Sequence, residues 1–498
     1  MMELMQSGMS GGAPGFLLVL AILLPLVALI PLMLGTGRSA QRIALMTVPL
    51  MLAVALAIAL GVGRSGQASV YFLGGWRPPL GVALRADGVS ALLVLMSAVV
   101  MSAIALYARG TFAAGSRAGT SFWALLLCAW SALNLVFLGE DLFSLFVALE
   151  LLTFSAVPLV CLDGSAATLK AALRYLLFAL LGSVLYLLGT GLLYGAYGTL
   201  DILLLSTRTQ MDGVTALALG LMVAGLLAKA ALFPLHIWLP QAHAGAPAAA
   251  SALLSALVLK APIFLVIRLC YDVAPAPFSA AAGTLLGALG CGAILLCGLF
   301  ALRQTRLKLL IAYSTAAQIG YIFLMFPLTG AGAPWASLAW TGGILHLASH
   351  AFSKAAMFLA AGVIAQALGH DRMSGFAGLG RVLPVSIFAF GLAGLSLMGL
   401  PPSGGFNAKV MLLTAAVRAE AWMTAGVILA GGLLAGGYVL RVVLPAISGT
   451  QTPETVGPVS RSREVLALVL ALCALALGFV PLEPAALLAI GRPGSYLP

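Results

Sequence analysis

Long apolar stretches follow one another along nearly the whole chain, separated by short connections. A membrane-spanning helix requires about 20 apolar residues, and about 14 stretches approach that length. They lie near residues 14–34, 42–62, 87–108, 121–138, 142–161, 170–197, 214–238, 247–271, 279–301, 308–327, 335–362, 383–418, 422–446 and 464–490. The pattern predicts an all-α membrane protein with about 14 transmembrane helices. The longest connection, residues 63–86, is rich in glycine and proline and is predicted to form turns.

Two of these stretches contain helix breakers. The seventh is interrupted at Leu232–Pro234, just after Lys229, and the twelfth at Gly399–Gly405, just before Lys409. Paired broken helices are typical of an ion path at mid-depth in transporters built from inverted repeats. We therefore expect two inverted five-helix repeats with discontinuous helices 7 and 12. The expected division is an N-terminal three-helix segment, a first repeat of helices 4–8, a second repeat of helices 9–13 and C-terminal helices, over residues 1–110, 121–275, 279–420 and 421–498.

The composition agrees with a protein whose solvent is the bilayer. Hydrophobic residues make up 62% of the chain and charged residues 8%, whereas soluble domains carry about 25% charged residues. The net charge of +11 is spread along the chain without a basic run, so a nucleic-acid partner is not expected. The six cysteines form no CxxC pair, so we expect no metal cluster and no disulfide framework. The sequence shows no nucleotide-binding loop, flavin motif or set of cluster ligands, so no cofactor is expected to be bound by this chain.

Topology can be predicted from the basic residues near the helix ends. Lysine and arginine favour one face of the predicted bundle by about two to one. This bias places both termini on the outer face of an inner (plasma) membrane that the chain crosses many times. The first apolar stretch lacks the features of a secretory signal and is expected to remain as a spanning helix.

Charged residues inside the apolar stretches are the strongest functional signal. Each costs roughly 2.5–3.5 kcal/mol at the centre of a spanning helix. One buried lysine is as readily explained by a structural ion pair as by transport, but five such groups in five helices favour a proton path. These groups are Glu150, Lys229, Lys260, Lys354 and Lys409. A lysine releases its proton more readily when desolvated and holds it beside a carboxylate. Glu150 is the only acidic residue deep inside a predicted helix, so it is the predicted partner of Lys229. Ser183 and Thr190 are predicted to hydrate this path.

The eleventh stretch adds histidines. Residues His346, His350 and Lys354 are spaced by four and share one face of a helix. Histidine titrates near neutral pH, so a proton relay is favoured over structural hydrogen bonding. A b-type haem is disfavoured because two histidines on one face cannot bind opposite sides of one iron.

Other polar residues lie at the predicted membrane edge. His236 and His243 follow the seventh-helix break in a predicted loop, where proton uptake and interfacial anchoring are equally good interpretations. Glu140 and Asp141 lie between the fourth and fifth helices. A solvated turn is the favoured interpretation there, with proton uptake through Glu140 as the alternative.

Several segments resemble the proton-conducting antiporter-type subunits of respiratory complex I, membrane-bound hydrogenases and Mrp-type cation antiporters. The matching segments are residues 229–240 (KAALFPLHIWLP), 244–260 (AGAPAAASALLSALVLK), 308–321 (KLLIAYSTAAQIGY), 346–358 (HLASHAFSKAAMF) and 399–409 (GLPPSGGFNAK), with Gly74–Trp76 and Asp87 before them. The resemblance implies a fifth-helix glutamate at Glu150 with its lysine Lys229, a central relay lysine at Lys260, and a terminal charge at Lys409. It also implies that His346, His350 and Lys354 correspond to the family's polar stripe, which leads to the second half of the subunit.

The chain departs from the family pattern at several positions. Leu149 replaces the usual aromatic residue before the glutamate, and Gln241 replaces a common aspartate. Lysine at position 409 argues mildly against branches with glutamate there. A long lateral helix is not evident beyond residue 490, which disfavours the longest complex I type.

The favoured function is a proton-translocating, non-redox subunit of a complex resembling NADH:quinone oxidoreductase or a hydrogenase. Its expected partners are other membrane subunits, the bilayer and protons. A component of an Mrp D-type Na⁺/H⁺ antiporter, with Na⁺ as a second ion, is one alternative. A structural membrane anchor for a redox complex is another, although it leaves the buried charges unexplained.

Overall fold

The computed structural model describes residues 13–35, 37–112, 115–274, 276–330, 333–449, 453, 457–479 and 486–492. Helices dominate these ranges. In chain order they are α1 Ala13–Leu34, α2 Gly37–Ser65, α3 Gly88–Ala108, α4 Arg117–Leu138, α5 Leu142–Val160, α6 Ala166–Tyr197, α7a Gly213–Lys229, α7b Leu239–Gly245, α8 Ala248–Val273, α9 Phe278–Leu302, α10 Leu307–Leu328, α11 Ala336–Leu368, α12a Pro384–Met398, α12b Gly404–Arg418, α13 Trp422–Ser448 and α14 Arg461–Phe479. Short helices occur at Ile202–Arg208, Leu379–Val382 and Ala486–Ala489.

Twelve helices among the described residues are long and apolar enough to cross a membrane. Two shorter apolar helices, α7a and α12a, accompany them. Large apolar side chains such as Leu181 and Leu433 point outward from the bundle, as expected for surfaces that face lipid. The prediction of an all-helical protein that crosses the membrane many times is confirmed.

Both predicted helix breaks are present, and local chemistry explains them. Helix α7a ends at Lys229, and a 3₁₀ turn over Leu235–Trp238 leads into α7b. Helix α12a ends at Met398, where Gly399 adopts a left-handed φ of 83° that glycine tolerates without strain. Ser403 then caps α12b by accepting a hydrogen bond from the Phe406 amide at 3.1 Å.

Helix α8 is buried along its length and contains two π-helical segments that the sequence pattern did not predict. They cover Leu254–Val258 and Leu269–Val273. Such wide turns occur mostly as single-turn bulges and often at functional sites. One residue, Leu259, separates the first π-helical segment from Lys260.

A β-hairpin occupies the turn-rich connection between α2 and α3. Strands β1 Ser69–Phe72 and β2 Ala83–Ala86 pair antiparallel, with Ser69 opposite Ala86 and Phe72 opposite Ala83. Sequence patterning indicated only turns here, because each strand has only four residues. The hairpin defines one end of the bundle, called the hairpin end below. A bridge joins Leu84 to Gly139 at this end.

Helices α6 and α7a approach each other closely at two glycines. A Cβ atom built on Gly225 would lie 2.3 Å from the Gly182 carbonyl oxygen, and one built on Gly182 would lie 2.5 Å from the Gly225 carbonyl oxygen. Because these neighbours are backbone atoms, a side chain would push the two helices apart. The contact sets the position of the helix whose last residue is Lys229.

We expect Gly225→Ala to destabilise the protein by about 1–3 kcal/mol, because the added methyl group overpacks the α6–α7a contact. Thermal unfolding of the detergent-purified protein measures this change. Gly220→Ala on the same helix is the matched control, since nothing lies within 4 Å of its built Cβ. Equal melting temperatures for the two variants would contradict the proposed close approach.

Candidate functional site

Glu150 and Lys229 are in contact in the interior of the bundle. The Lys229 ammonium lies 3.2 Å from Glu150 Oε1 and donates to Thr153 Oγ1 at 3.0 Å. Ser183 also donates to Glu150 Oε1. The Glu150 side chain is 18% exposed and that of Lys229 5%, so the pair lies at the edge of the core. Thr190, which together with Ser183 is predicted to hydrate the path, donates to the Tyr186 carbonyl of its own helix.

A small cavity adjoins Lys229 on the side of helix α8. Its volume is about 20 Å³, and its lining includes Thr153, Tyr175, Lys229, Val258 and Pro262. A space of this size accommodates about one water molecule. In the described part of the chain, Lys229 and Lys260 have no hydrogen-bond partner in common. The cavity therefore lies next to Lys229, between its helix and α8, where no hydrogen-bonded group among the described residues links Lys229 to Lys260.

Lys260 and His350 form a direct contact at the centre of the molecule. The Lys260 ammonium lies 2.8 Å from His350 Nδ1 and donates to the Ser255 carbonyl at 2.6 Å. Ser255 belongs to the π-helical segment that precedes the lysine. Both titratable side chains are fully buried, on helices α8 and α11 respectively.

The predicted stripe on α11 is buried as one row. The rings of His346 and His350 stack with centroids 6.2 Å apart. Lys354 donates to Ser314 Oγ and, at 3.3 Å, to the Ile311 carbonyl, both on helix α10. The stripe therefore faces α10, whose polar residues the sequence pattern did not single out.

Lys409 lies near the far end of this row. Its ammonium donates to the Leu397 carbonyl at 2.6 Å and lies 4.1 Å from the centre of the Tyr321 ring. The Tyr321 ring in turn lies 5.2 Å from that of His346. The backbone oxygen of Gln318, one turn before Tyr321, lies 3.2 Å from His346 Nε2. From Lys260 to Lys409, successive groups therefore lie side by side, joined by a hydrogen bond at Lys260–His350 and beyond it by ring–ring and cation–π geometry.

Several buried polar atoms along this row have no hydrogen-bond partner within the described ranges. They are Nδ1 of His346, Nε2 of His350, Oε1 of Gln318, both ring nitrogens of His243 and the hydroxyls of Ser251 and Ser353. An unsatisfied buried polar group costs about 1–3 kcal/mol. Buried water ordinarily satisfies such groups.

His236 and His243 lie in short helical turns and not in the predicted loop. His236 belongs to the 3₁₀ turn, and His243 to α7b, where its ring stacks on Phe358 at 4.6 Å. Both side chains are buried. Interfacial anchoring, which requires a polar tip in contact with water, therefore does not describe either residue.

The favoured interpretation of Glu140 as part of a solvated turn is wrong. Glu140 is 1% exposed, and its Oε1 accepts from the Arg85 guanidinium at 2.9 Å. Arg85 also pairs with Asp87 at 3.0 Å and lies 3.6 Å from Asp272. Arg268 contacts Asp87 at 2.7 Å and Asp272 at 2.8 Å. We call this group of five residues, Arg85, Asp87, Glu140, Arg268 and Asp272, the outer network.

The outer network joins four segments at the hairpin end. In the sequence the two arginines of this network serve only as topology signals near helix ends, although Arg268 and Asp272 stand four residues apart around the end of one predicted helix. Burial alone raises the pKa of Asp87, but Arg268 and Arg85 outweigh it and hold that pKa below its ordinary value. For Glu140, burial raises the pKa, and the same arginines offset it only in part. Of the two carboxyl groups Asp87 and Glu140, Glu140 is therefore the one that retains its proton more readily.

Broken helices carrying a buried row of lysines and histidines define a multi-pass membrane protein of the antiporter type. The chain belongs to the NADH:quinone oxidoreductase/Mrp antiporter transmembrane family, whose sequence model matches residues 139–435. The family resemblance read from the sequence motifs is thus confirmed.

Named relatives come from more than one branch. The N-type subunit of the NADH-quinone oxidoreductase of Desulforudis audaxviator is 33% identical over 84% of this chain and 85% of its own length. The D-type subunit of the Na⁺/H⁺ antiporter of Alkalihalophilus pseudofirmus is 29% identical over 87% of both chains. A chain in the structure of the Mrp complex from Dietzia sp. superposes with a TM-score of 0.86 at 25% identity, covering 95% of this chain and 96% of that one.

We expect Arg268→Ala to destabilise the protein by about 3–5 kcal/mol, because it leaves buried carboxylates of the outer network without a counter-ion. Thermal unfolding in detergent measures the loss. Arg418→Ala, which removes an exposed arginine at the end of α12b, is the control and should change stability little. A wild-type melting temperature for Arg268→Ala would contradict a stabilising role of the network.

Proposed function

We propose that this chain is a proton-translocating, antiporter-like subunit of a respiratory membrane complex of the complex I or hydrogenase type. Protons move along a central line that starts at Glu150 and Lys229 and continues through Lys260, His350 and His346 to Lys409. Lys354 borders this line on α11. The observation that carries the proposal is the row of buried groups from Lys260 to Lys409, which begins with the 2.8 Å hydrogen bond between Lys260 and His350 and continues through adjacent aromatic rings.

The Lys260–His350 contact is chemically suited to proton exchange. A lysine ammonium has three donors and no acceptor, whereas a neutral histidine has one acceptor nitrogen. A hydrogen bond at 2.8 Å therefore requires one partner to be neutral at that bond. A positive charge can lie on either partner, and the proton can cross between the two nitrogens.

The arrangement at Glu150 gives the line a controllable starting point. The carboxylate stabilises the charge on Lys229, so lengthening the 3.2 Å contact weakens the hold of the lysine on its proton. The cavity beside Lys229 provides room for a water to carry that proton toward α8. Unpartnered polar atoms farther along support a hydrated line.

Energy for transport comes, in this proposal, from partner subunits. Motion or charge changes in a neighbouring subunit would open and close the Glu150–Lys229 ion pair. Electron transfer takes place outside this chain, whose own part is to bind and pass protons. The relatives' membership in multisubunit membrane complexes supports partners of this kind.

The same proposal includes fourteen crossings, two inverted repeats and both termini on the outer face. The broken helices α7a–α7b and α12a–α12b are then the seventh and twelfth crossings. Three contacts between loops support this count, because each contact joins two loops that a count of fourteen crossings places on the same face of the membrane. These contacts are isolated backbone β-bridges. Leu84 is bridged to Gly139, and Asp141 to Asp201, at the hairpin end, while Arg306 is bridged to Arg372 at the opposite end.

We expect Lys229→Ala and Glu150→Gln each to lower proton flux by roughly 10²-fold, the scale expected when a proton-transfer group is lost. Flux is measured in vesicles that contain the intact complex. Lys170→Ala removes an exposed lysine at the start of α6 and should leave flux unchanged. Full flux in both test variants of an assembled complex would refute the proposal and favour the structural-anchor alternative.

An Mrp D-type role is the second candidate, because the similarity to the Dietzia Mrp chain covers nearly the whole length of both chains. In that case, adding Na⁺ to acid-loaded vesicles without any electron donor should produce a pH change that Lys229→Ala abolishes. A pH change that requires an electron donor and ignores Na⁺ would instead favour the respiratory role.

A further inference from the structure

The two broken helices provide their lysines with different counter-charges. Lys229 has a carboxylate partner in Glu150. Lys409 has no ion pair with a carboxylate in the described part of the chain. A buried ammonium nevertheless needs a source of negative potential, because its desolvation is costly. Within the described residues, the groups that hold the charge on Lys409 are therefore uncharged.

The carbonyl end of α12a supplies one part of this potential. Lys409 donates to the Leu397 carbonyl at 2.6 Å and lies 3.5 Å from that of Met398. These carbonyls belong to the last turn of α12a, where the helix dipole is negative. The break at Gly399–Ser403 allows α12b to return its lysine to the end of the helix that precedes it.

The ring of Tyr321 supplies the other part. Its centre lies 4.1 Å from the Lys409 ammonium, within the range of a cation–π contact. The hydroxyl of Tyr321 is engaged separately, since it donates to the Ile428 carbonyl of α13 at 3.0 Å. Tyr321 also contacts His346, the preceding group of the line.

We infer that Tyr321 is a positioning residue that holds the charged form of Lys409 against the carbonyl end of α12a. The aromatic face takes the place that a carboxylate occupies beside Lys229. A neutral partner attracts a cation less strongly than a carboxylate does, which suits a terminal site that must release its proton. This inference rests on the proposed function and specifies how its last step is controlled.

Other titratable groups around Lys409 do not replace Tyr321. His346 faces it from α11, and the hydroxyl of Tyr438 on α13 lies 3.1 Å from Gln318 Nε2, an amide that also donates to the Leu397 carbonyl. Helix α12a contains no charged residue. Glu464, the acidic residue of α14, accepts from the Ser386 amide and hydroxyl, and Arg463 binds Gln366 and Thr111.

The test changes the electron density of the ring while keeping its shape. Tyr321→Phe retains the aromatic face and removes the hydroxyl. Tyr321→trifluorophenylalanine keeps nearly the same volume but weakens the negative face of the ring, so misfolding is not the expected result. Proton flux of the reconstituted complex is recorded against pH for both variants, with assembly and thermal stability measured in parallel.

We expect Tyr321→Phe to keep the wild-type pH profile. In the fluorinated variant, the alkaline limb of the profile should move to lower pH by about one unit, because the cation is stabilised less. Phe323→trifluorophenylalanine, at another buried site on α10, is the matched control and should show no shift. Identical profiles for Phe and trifluorophenylalanine at position 321 would overturn the inference.

The outcome is distinguishable from failure of the proposed function. If Lys229→Ala abolishes flux while fluorination at position 321 has no effect, only the role of Tyr321 is refuted. If Lys229→Ala and Glu150→Gln keep full flux, the proton line itself is refuted. A shift of equal size at positions 321 and 323 would also overturn the inference, since it would reflect a general effect of fluorination.

Discussion

The structure depends on one constraint, which is the cost of placing ionic side chains among apolar helices. Each ammonium in the core is held by a polar group from another part of the chain, and these groups determine how the helices meet. Glu150 holds Lys229, His350 holds Lys260, and backbone carbonyls hold Lys409. The helix breaks serve the same end, because an interrupted helix exposes carbonyls that a continuous one keeps in its own ladder.

Helix α8 is central to this arrangement. It is buried along most of its length, and its first π-helical segment contains the Ser255 carbonyl that Lys260 contacts. The hydroxyl of Ser255 contacts Thr315 of α10 at 2.8 Å, which links the two helices that border the stripe on α11. The side chains of three helices thus form one polar interior.

The outer network has a different character from the central line. It combines two arginines with three carboxyl groups at short range, so its charges are largely compensated within the network. Compensated buried charges fix the segments that carry them, because breaking any pair leaves a charge without a partner. The network therefore holds the hairpin to the ends of the helices, whereas the lysines of the interior have fewer counter-charges around them.

The sequence by itself determined the spanning helices, both breaks and the residues whose charge is costly in a membrane, because these features depend on composition along one dimension. It also identified the pairing of Glu150 with Lys229 through the scarcity of buried acids. Only the tertiary structure decided which groups meet across long separations. Arg85 and Glu140 stand 55 residues apart, and Lys260 and His350 stand 90 apart. Periodicity predicts the face of a helix but not the side chain that another helix brings to it. For this reason the sequence alone places neither Glu140 beside Arg85 nor the Tyr321 ring over Lys409.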